Sequence, residues 1–403
     1  MDRTTNQPAK FSRRGILKGM QVAAAASAIT PAKAATGKVL AYVGAYTDRG
    51  KGIHIYDVGV DGTLTAVDIL TGLPSPSSIV FSANKKFLYA VNEISNFTGA
   101  NTSGSVTAMS VASDGSLKIL NVISSGGTGP AHLSIDASGK WVLAANYGGG
   151  SFSVLPINTD GSVGAATDTV LLPRGTYGVQ PAVDAPPGSF AISGHDAPHA
   201  HQAQTDPSGN FVYVNDLATD RIYIYKFDKT AGKLTPTSQQ FVQASAGAGP
   251  RHMEFHPNGR WAYGLNEESS TIDFMAWDSS DGSLAIQASV SSLPQGFEGT
   301  NFASEIHISE DGRFVYAANR LHNSIGAFAV DADGFLTPAG NYWTRGDYPR
   351  HFAIEPYGRF LYVVHSRSDN VTTFGVDHGT GRLNFTGKYT AIGNPSKIAF
   401  LAL

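Results

Sequence analysis

The 403-residue chain contains no cysteine, which excludes disulfides, thiolate nucleophiles and thiolate metal ligands. Charge is sparse: 15% of residues are charged, the formal net charge is −3 and no basic tract occurs, so nothing points to a nucleic-acid partner. No apolar run approaches the ~20 residues that a membrane-spanning helix needs, so no stable membrane insertion is expected. There is no G-x-S-x-G nucleophile motif and no phosphate-cradling glycine loop with a lysine; Gly148-Gly149-Gly150 falls between strand patterns. Apolar and turn-forming residues are plentiful. The chain is 42% hydrophobic with 45 Gly and 20 Pro, enough for a large core with many tight turns.

The N-terminus reads as an address. Ser12-Arg13-Arg14-Gly15-Ile16-Leu17-Lys18 carries paired arginines, an alanine-rich apolar stretch spans 20–29, and Ala32-Lys33-Ala34 is a small-x-small cleavage pattern. This predicts a twin-arginine-type export signal over residues 1–35, the export machinery as a partner, and a periplasmic or secreted protein. A single domain is expected over 36–403, as a monomer.

That domain repeats one short pattern seven times, a strand signal followed by a polar or aromatic residue. It ends at Tyr46, Glu93, Tyr147, Asp216, Glu267, Arg320 and Ser366, at gaps of 47, 54, 69, 51, 53 and 46 residues. A period near fifty built from strands predicts an all-β, seven-bladed β-propeller with four antiparallel strands per blade. In the repeat around 251–290, strands are predicted over 251–256, 261–266, 271–277 and 284–290. Turn signals at Pro257-Asn258-Gly259-Arg260 and Asp281-Gly282 separate them. Outer turns recur at Asp61-Gly62, Asp114-Gly115, Asp160-Gly161, Asp333-Gly334 and Thr380-Gly381, where Gly supplies the positive φ of a tight hairpin. The chain opens on a second-strand pattern (40–46) and closes on a first-strand pattern (395–400). The two are predicted to complete one blade and close the ring. The longest gap holds an insertion over 171–198, expected to cover the rim of a site.

Aligned on the first turn, Arg251 falls with Ser77, Ala131, His201, Ser304, Arg350 and Ser396, and His252 with Ser78, His132, Gln202, Glu305, His351 and Lys397. The start of a first strand and the end of the second lie at the same end of a blade. One channel face therefore gathers His132, Tyr147, His199, His201, Arg251, His252, Glu267, Glu305, Arg320, Arg350 and His351, with Arg251 near Glu267, Arg320 near Glu305 and His201 near Asp216. His132, His252 and His351 recur in one register, as hydrogen-bonded packing residues would. The repeated Asn92, Asn146, Asn215, Asn266 and Asn319 are expected to bond local backbone. Arg251, Glu267, His201 and Arg320 are specific to their blades and so point to function, although ion-pair networks imitate active sites. His199-x-His201 places two imidazoles on one strand face, as zinc sites do. The surrounding arginines repel a cation, and no metal or cofactor is expected.

Three stretches of this polar face, starting H-A-H-Q-A-Q-T-D-P-S-G at His199, G-P-R-H-M-E-F-H-P-N-G at Gly249 and S-E-I-H-I-S-E-D-G-R at Ser304, resemble the seven-bladed propeller lactonase family, which includes propeller-type 6-phosphogluconolactonases and carboxy-cis,cis-muconate cyclases. The likeness runs through nearly all of the chain after the signal. It implies a lactonase site with His201, Arg251, Glu267 and Arg320 as catalytic residues and His199 as a rival for the histidine. His199, Glu305, Tyr147 and Arg350 are expected to bind the substrate, a small lactone or organic acid. The export signal departs from the cytosolic setting of the phosphogluconolactonases and favours an unphosphorylated aldonolactone. Two other readings stand beside hydrolysis: a muconate-type cyclase or lyase using the same arginines, and a non-catalytic secreted propeller that only binds.

Overall fold

The computed structural model describes residues 37–97, 99, 102–175 and 180–403; the expected export signal lies outside them. Twenty-eight strands form seven four-stranded antiparallel sheets. Each sheet is one blade: 76–124, 130–171, 200–243, 250–291, 303–343 and 349–391 are blades 1 to 6. Blade 7 joins the N-terminal strands Val39–Ala45, Ile53–Val58 and Leu64–Leu70 to the C-terminal strand Pro395–Ala402. Val43 pairs with Ile398 and Ala41 with Phe400, so the two chain ends close the ring as expected. Blade 4 follows the predicted grammar, with strands Pro250–Phe255, Trp261–Asn266, Thr271–Trp277 and Leu284–Ser291. Among the described residues no helix is long and apolar enough to cross a membrane.

Blades pack face to face, so a second strand has apolar neighbours on both sides. Tyr263 and Leu265 of blade 4 pack on Ile306, Val315 and Ala317 of blade 5, while Ala262 packs back on Tyr213 and Ile222 of blade 3. Seven such clusters fill the seven interfaces between neighbouring blades. The outer strand Leu284–Ser291 alternates buried or half-buried residues with exposed ones, as a one-sided strand does.

The tyrosine of the repeated pattern and the glycine of the outer turn prove to be partners. Tyr213 donates to the Gly282 carbonyl of the next blade (2.6 Å), and Tyr263 to Gly334 (2.7 Å). Tyr42, Tyr89, Tyr316 and Tyr362 repeat the bond on Gly115, Gly161, Gly381 and Gly62. Gly282 has φ +78°, and a Cβ there would lie 2.5 Å from Phe211, so the turn needs glycine both for its conformation and for its closeness to the neighbouring blade. Blade 2 carries Leu143 at the tyrosine position, and Trp141 Nε1 instead reaches the Lys229 carbonyl at 3.0 Å.

Every inner strand begins with a β-bulge. Pro250 pairs with Asn266 and His252 with Leu265, which leaves Arg251 as the extra residue. The same shift isolates Ser77, Ala131, His201, Arg350 and Ser396, and in blade 5 it falls between Ala303 and Ile306. A regular strand would send residues 251 and 252 to opposite faces. The bulge re-aims one of them, and Arg251 and His252 both line the central channel. Strand alternation alone does not reveal such an inserted residue.

Candidate active site

At the channel end where the inner strands begin, Glu267 sits between two guanidinium groups. Arg251 Nε lies 2.9 Å from its Oε2 and Arg320 Nη2 lies 2.7 Å from its Oε1. The Arg251 N–H does not point along its contact, so that pair is an ion pair without a well-formed hydrogen bond. Arg251 is 2% exposed, Arg320 5% and Glu267 6%. Burial opposes ionisation of Glu267, but the charges of Arg320 and Arg251 outweigh it and hold its pKa below the ordinary carboxylate value. Burial, then the neighbouring Arg320 charge, brings Arg251 down to about 10.

Arg320 was expected near Glu305 but reaches Glu267 instead. The Phe302 and Ala303 carbonyls (both 3.2 Å) and the Tyr348 hydroxyl (3.3 Å) accept its other hydrogen bonds. Glu305 lies one layer deeper, with Oε1 2.9 Å from His252 Nδ1 and Oε2 3.2 Å from His351 Nε2. Of the three histidines expected as packing residues, His252 and His351 thus hold this carboxylate, while His132 Nδ1 has no partner among the described residues; all three line the channel. The repeated asparagines differ from one another: Asn92 donates to the side chains of Ser105 and Thr107 and Asn266 to those of Thr271 and Asp273, Asn146 and Asn319 donate also to the Ser125 and Ser292 carbonyls, and the Asn215 amide has no partner among the described residues.

His201, the bulge residue of blade 3, is buried beside Arg251 and contacts Tyr147 edge-on at 5.5 Å and His252 at 5.0 Å. Burial and then the Arg251 charge push its pKa well below the usual imidazole value, so it is neutral at pH 7. Asp216, its expected neighbour, instead accepts from the His199 and Ala218 N–H groups and the Thr219 hydroxyl. His199 stacks on Tyr147 at 4.3 Å, with Nδ1 2.8 Å from the Tyr147 carbonyl and Nε2 3.0 Å from Asp196. Arg350 donates to the Tyr46 hydroxyl and to Ser396 Oγ (3.2 Å), and Tyr46 in turn donates to Glu93 (2.7 Å).

The insertion does lie over this site. Ser193 Oγ donates to Glu267 Oε1 at 3.2 Å, the Ser193 N–H donates to Glu268, and His195 Nε2 lies 2.5 Å from Glu268 Oε2. Its far side is tied to the segment before blade 5, where Gly299 N–H donates to the Pro187 carbonyl at 2.8 Å. Sequence reasoning missed Ser193, His195, Glu268, Tyr348 and the Tyr46–Glu93 pair as site residues. Glu93 had a signal, since it occupies the same repeat position as Glu267. Ser193 and His195 had none, because a loop without periodicity does not announce where it folds back.

The bulge residues and those that follow them enclose a chamber of about 20 Å³, lined by Ser77, Ser78, Ala131, His132, His201, Arg251, His252, Glu305, Arg350, His351, Ser396 and Lys397. A wider opening of about 440 Å³ follows, lined by later residues of the inner strands, among them Val80, Gln204, Glu254 and His307. The two share His132, Glu305, His351 and Lys397, so the channel runs from the site towards the opposite end of the propeller.

Residues 40–400 match the family model described as lactonase, 7-bladed beta-propeller. The chain is 30% identical over 368 residues to the 6-phosphogluconolactonase of Bacillus subtilis, covering 90% of this chain and 99% of that one. It is 31% identical over 351 residues to that of Formosa agariphila, covering 85% and 94%. Among solved structures, the periplasmic gluconolactonase of Pseudomonas aeruginosa superposes with a TM-score of 0.81 at 27% identity, covering 91% of this chain and 99% of that one. The chain therefore belongs to the seven-bladed β-propeller lactonase family.

Proposed function

We propose that this lactonase hydrolyses a sugar-acid lactone by acid–base chemistry at the mouth of the propeller channel, with guanidinium groups in place of a metal. The observation that carries this reading is Glu267 clamped between Arg251 and Arg320 beside a neutral, buried His201. Opening a lactone needs a base for water, positive charge at the developing oxyanion and a proton for the departing alkoxide. His201 suits the first and last tasks. Glu267 suits them less well, because its oxygens face two arginines and the Ser193 hydroxyl, and a carboxylate of lowered pKa is a weak base. Arg251 is the oxyanion donor in this scheme. Arg320 is anchored by protein acceptors and sets the position of Glu267. His199, Tyr147 and Arg350 flank the site as substrate contacts, while Glu305 acts one layer below.

The paired arginines suit an anionic or polyhydroxylated lactone. The curated relatives are named for a phosphorylated lactone and the Pseudomonas neighbour for a periplasmic gluconolactone. With the twin-arginine pattern at residues 12–18, the second chemistry fits better: an unphosphorylated aldonolactone outside the cytoplasm. The test is hydrolysis of δ-gluconolactone and of its 6-phosphate by the mature chain, with EDTA present. Faster turnover of the unphosphorylated lactone is expected. A spontaneous rate with both overturns the proposal, and loss of carboxymuconate absorbance in their place identifies a cyclase.

A further inference from the structure

Five buried polar atoms without a hydrogen-bond partner among the described residues belong to side chains of one chamber. They are Ser77 Oγ, Ser78 Oγ and the Nδ1 atoms of His132, His201 and His351. The three histidines are 7%, 6% and 8% exposed. Leaving so many polar groups unmet in one place is costly. The chamber's volume of about 20 Å³ exceeds the ~10–15 Å³ that one water requires. Its lining mixes hydroxyls, which donate and accept, with imidazole nitrogens that do one or the other and with the donors Arg251 and Lys397. A cation or an anion would satisfy only half of that set, whereas water can satisfy all of it.

The position matters more than the occupancy. Arg251 and His201 face this chamber, whereas Glu267 stands on the other side of Arg251 and beneath Ser193. Through His132, Glu305, His351 and Lys397 the chamber meets the 440 Å³ opening at the far end of the channel. We propose that the chamber is the site of the hydrolytic water, filled from the channel end opposite Glu267 while the lactone enters beside Glu267. This rests on the lactonase reading above. The water oxygen bonds to the lactone carbonyl carbon as His201 Nδ1 takes its proton, and the carbonyl π pair moves onto oxygen near Arg251. Collapse re-forms the C=O bond and breaks the ring C–O bond, and the proton held by His201 passes to the ring alkoxide. Lactone and water give the hydroxy acid, and no other reactant is consumed.

The test plugs the chamber without touching the arginines. Ser78 Oγ has no partner among the described protein groups, so Ser78→Leu fills space without breaking a bond to the protein, and Val67→Trp, on the exposed outer strand Leu64–Leu70 of blade 7, is the control for added bulk. Val80→Trp narrows the far opening, and Ser78→Val is a smaller plug if the leucine variant does not fold. Expected for Ser78→Leu is a kcat on δ-gluconolactone ~10-fold or more below the wild type with KM within ~2-fold, the split for an interaction absent from substrate binding. Val80→Trp should lower kcat in the same sense and Val67→Trp should leave it unchanged. A high-resolution crystal structure should show ordered water in the wild-type chamber and none in Ser78→Leu. Full kcat in the plugged variants, an equal loss in Val67→Trp, or a dry wild-type chamber overturns the proposal. A wild-type chain that hydrolyses no lactone instead ends the lactonase reading, and the crystallographic arm still judges the chamber by itself.

Discussion

Arg251, the extra residue of a β-bulge, holds its Nε 2.9 Å from Oε2 of Glu267 across one hairpin. Both groups are buried, and Arg320 shares the same carboxylate. Removing one partner of such a set leaves the others uncompensated, at a cost of about 3–5 kcal/mol in comparable buried pairs. Glu267→Gln is therefore expected to lower the melting temperature as well as to reduce turnover by ~10²-fold, the scale of a lost acid–base or positioning group. Arg251→Lys should be poorly tolerated too, since an ammonium cannot reproduce the planar fork. Thermal unfolding and turnover per folded molecule, measured on the same preparations, check this. Unchanged turnover with lowered stability would mark a purely structural bridge.

The pH dependence follows from the neutral histidines. Burial first, then nearby arginine charge, depresses the pKa of His201. As pH falls through 6.5, the ordinary imidazole value, His201 stays unprotonated in the folded enzyme. Its kcat/KM profile should show no acidic limb near 6.5, and a limb there would contradict the assignment of His201 as base. Stability, unlike activity, should respond to pH there. His132, His201 and His252 all have depressed values, so the unfolded chain takes up protons first. Unfolding free energy should decline as pH drops below 6.5 and be unaffected by these groups above it.

The bond from each tyrosine to the next blade's turn gives a stability prediction away from the site. Tyr263→Phe leaves the Gly334 carbonyl without its 2.7 Å donor and should cost about 1–3 kcal/mol. Denaturant unfolding measures this, and lactone turnover at low temperature should not change.

The insertion should respond to pH through His195. The hydrogen bond that the Glu268 carboxylate accepts from His195 outweighs burial and raises the pKa of His195. Its contribution is then complete below 6.5 and lost as pH rises through the raised folded value. Limited proteolysis should cut within 180–198 more readily in His195→Ala than in the wild type. For the wild type itself, cutting should increase with pH, and equal cutting at all pH values would exclude the pair as the anchor.

Much of the architecture was legible because propeller physics is periodic. The strand bounds Trp261–Asn266 and Thr271–Trp277 agree with the sequence reading residue for residue. Apolar alternation and glycine-bearing turns repeat in every blade, and the mismatched chain ends could only complete one another. The candidate residues His201, Arg251, Glu267 and Arg320 were legible as departures from that repeat.

What the amino-acid order determined by itself was the local and the repeated: seven blades, the turn glycines that the neighbouring blades need, and which polar residues share one channel end. Tertiary structure alone decided how those residues pair. Whether Arg320 meets Glu305 or Glu267 depends on the angle between adjacent blades. Whether Arg251 and His252 point the same way depends on a bulge that the strand pattern hides. That Ser193 closes over Glu267 depends on where an aperiodic loop comes to rest, 74 residues earlier in the chain than the glutamate it meets. Period sets position along a strand, but the partner of a buried charge is chosen by packing between blades, which no single repeat encodes.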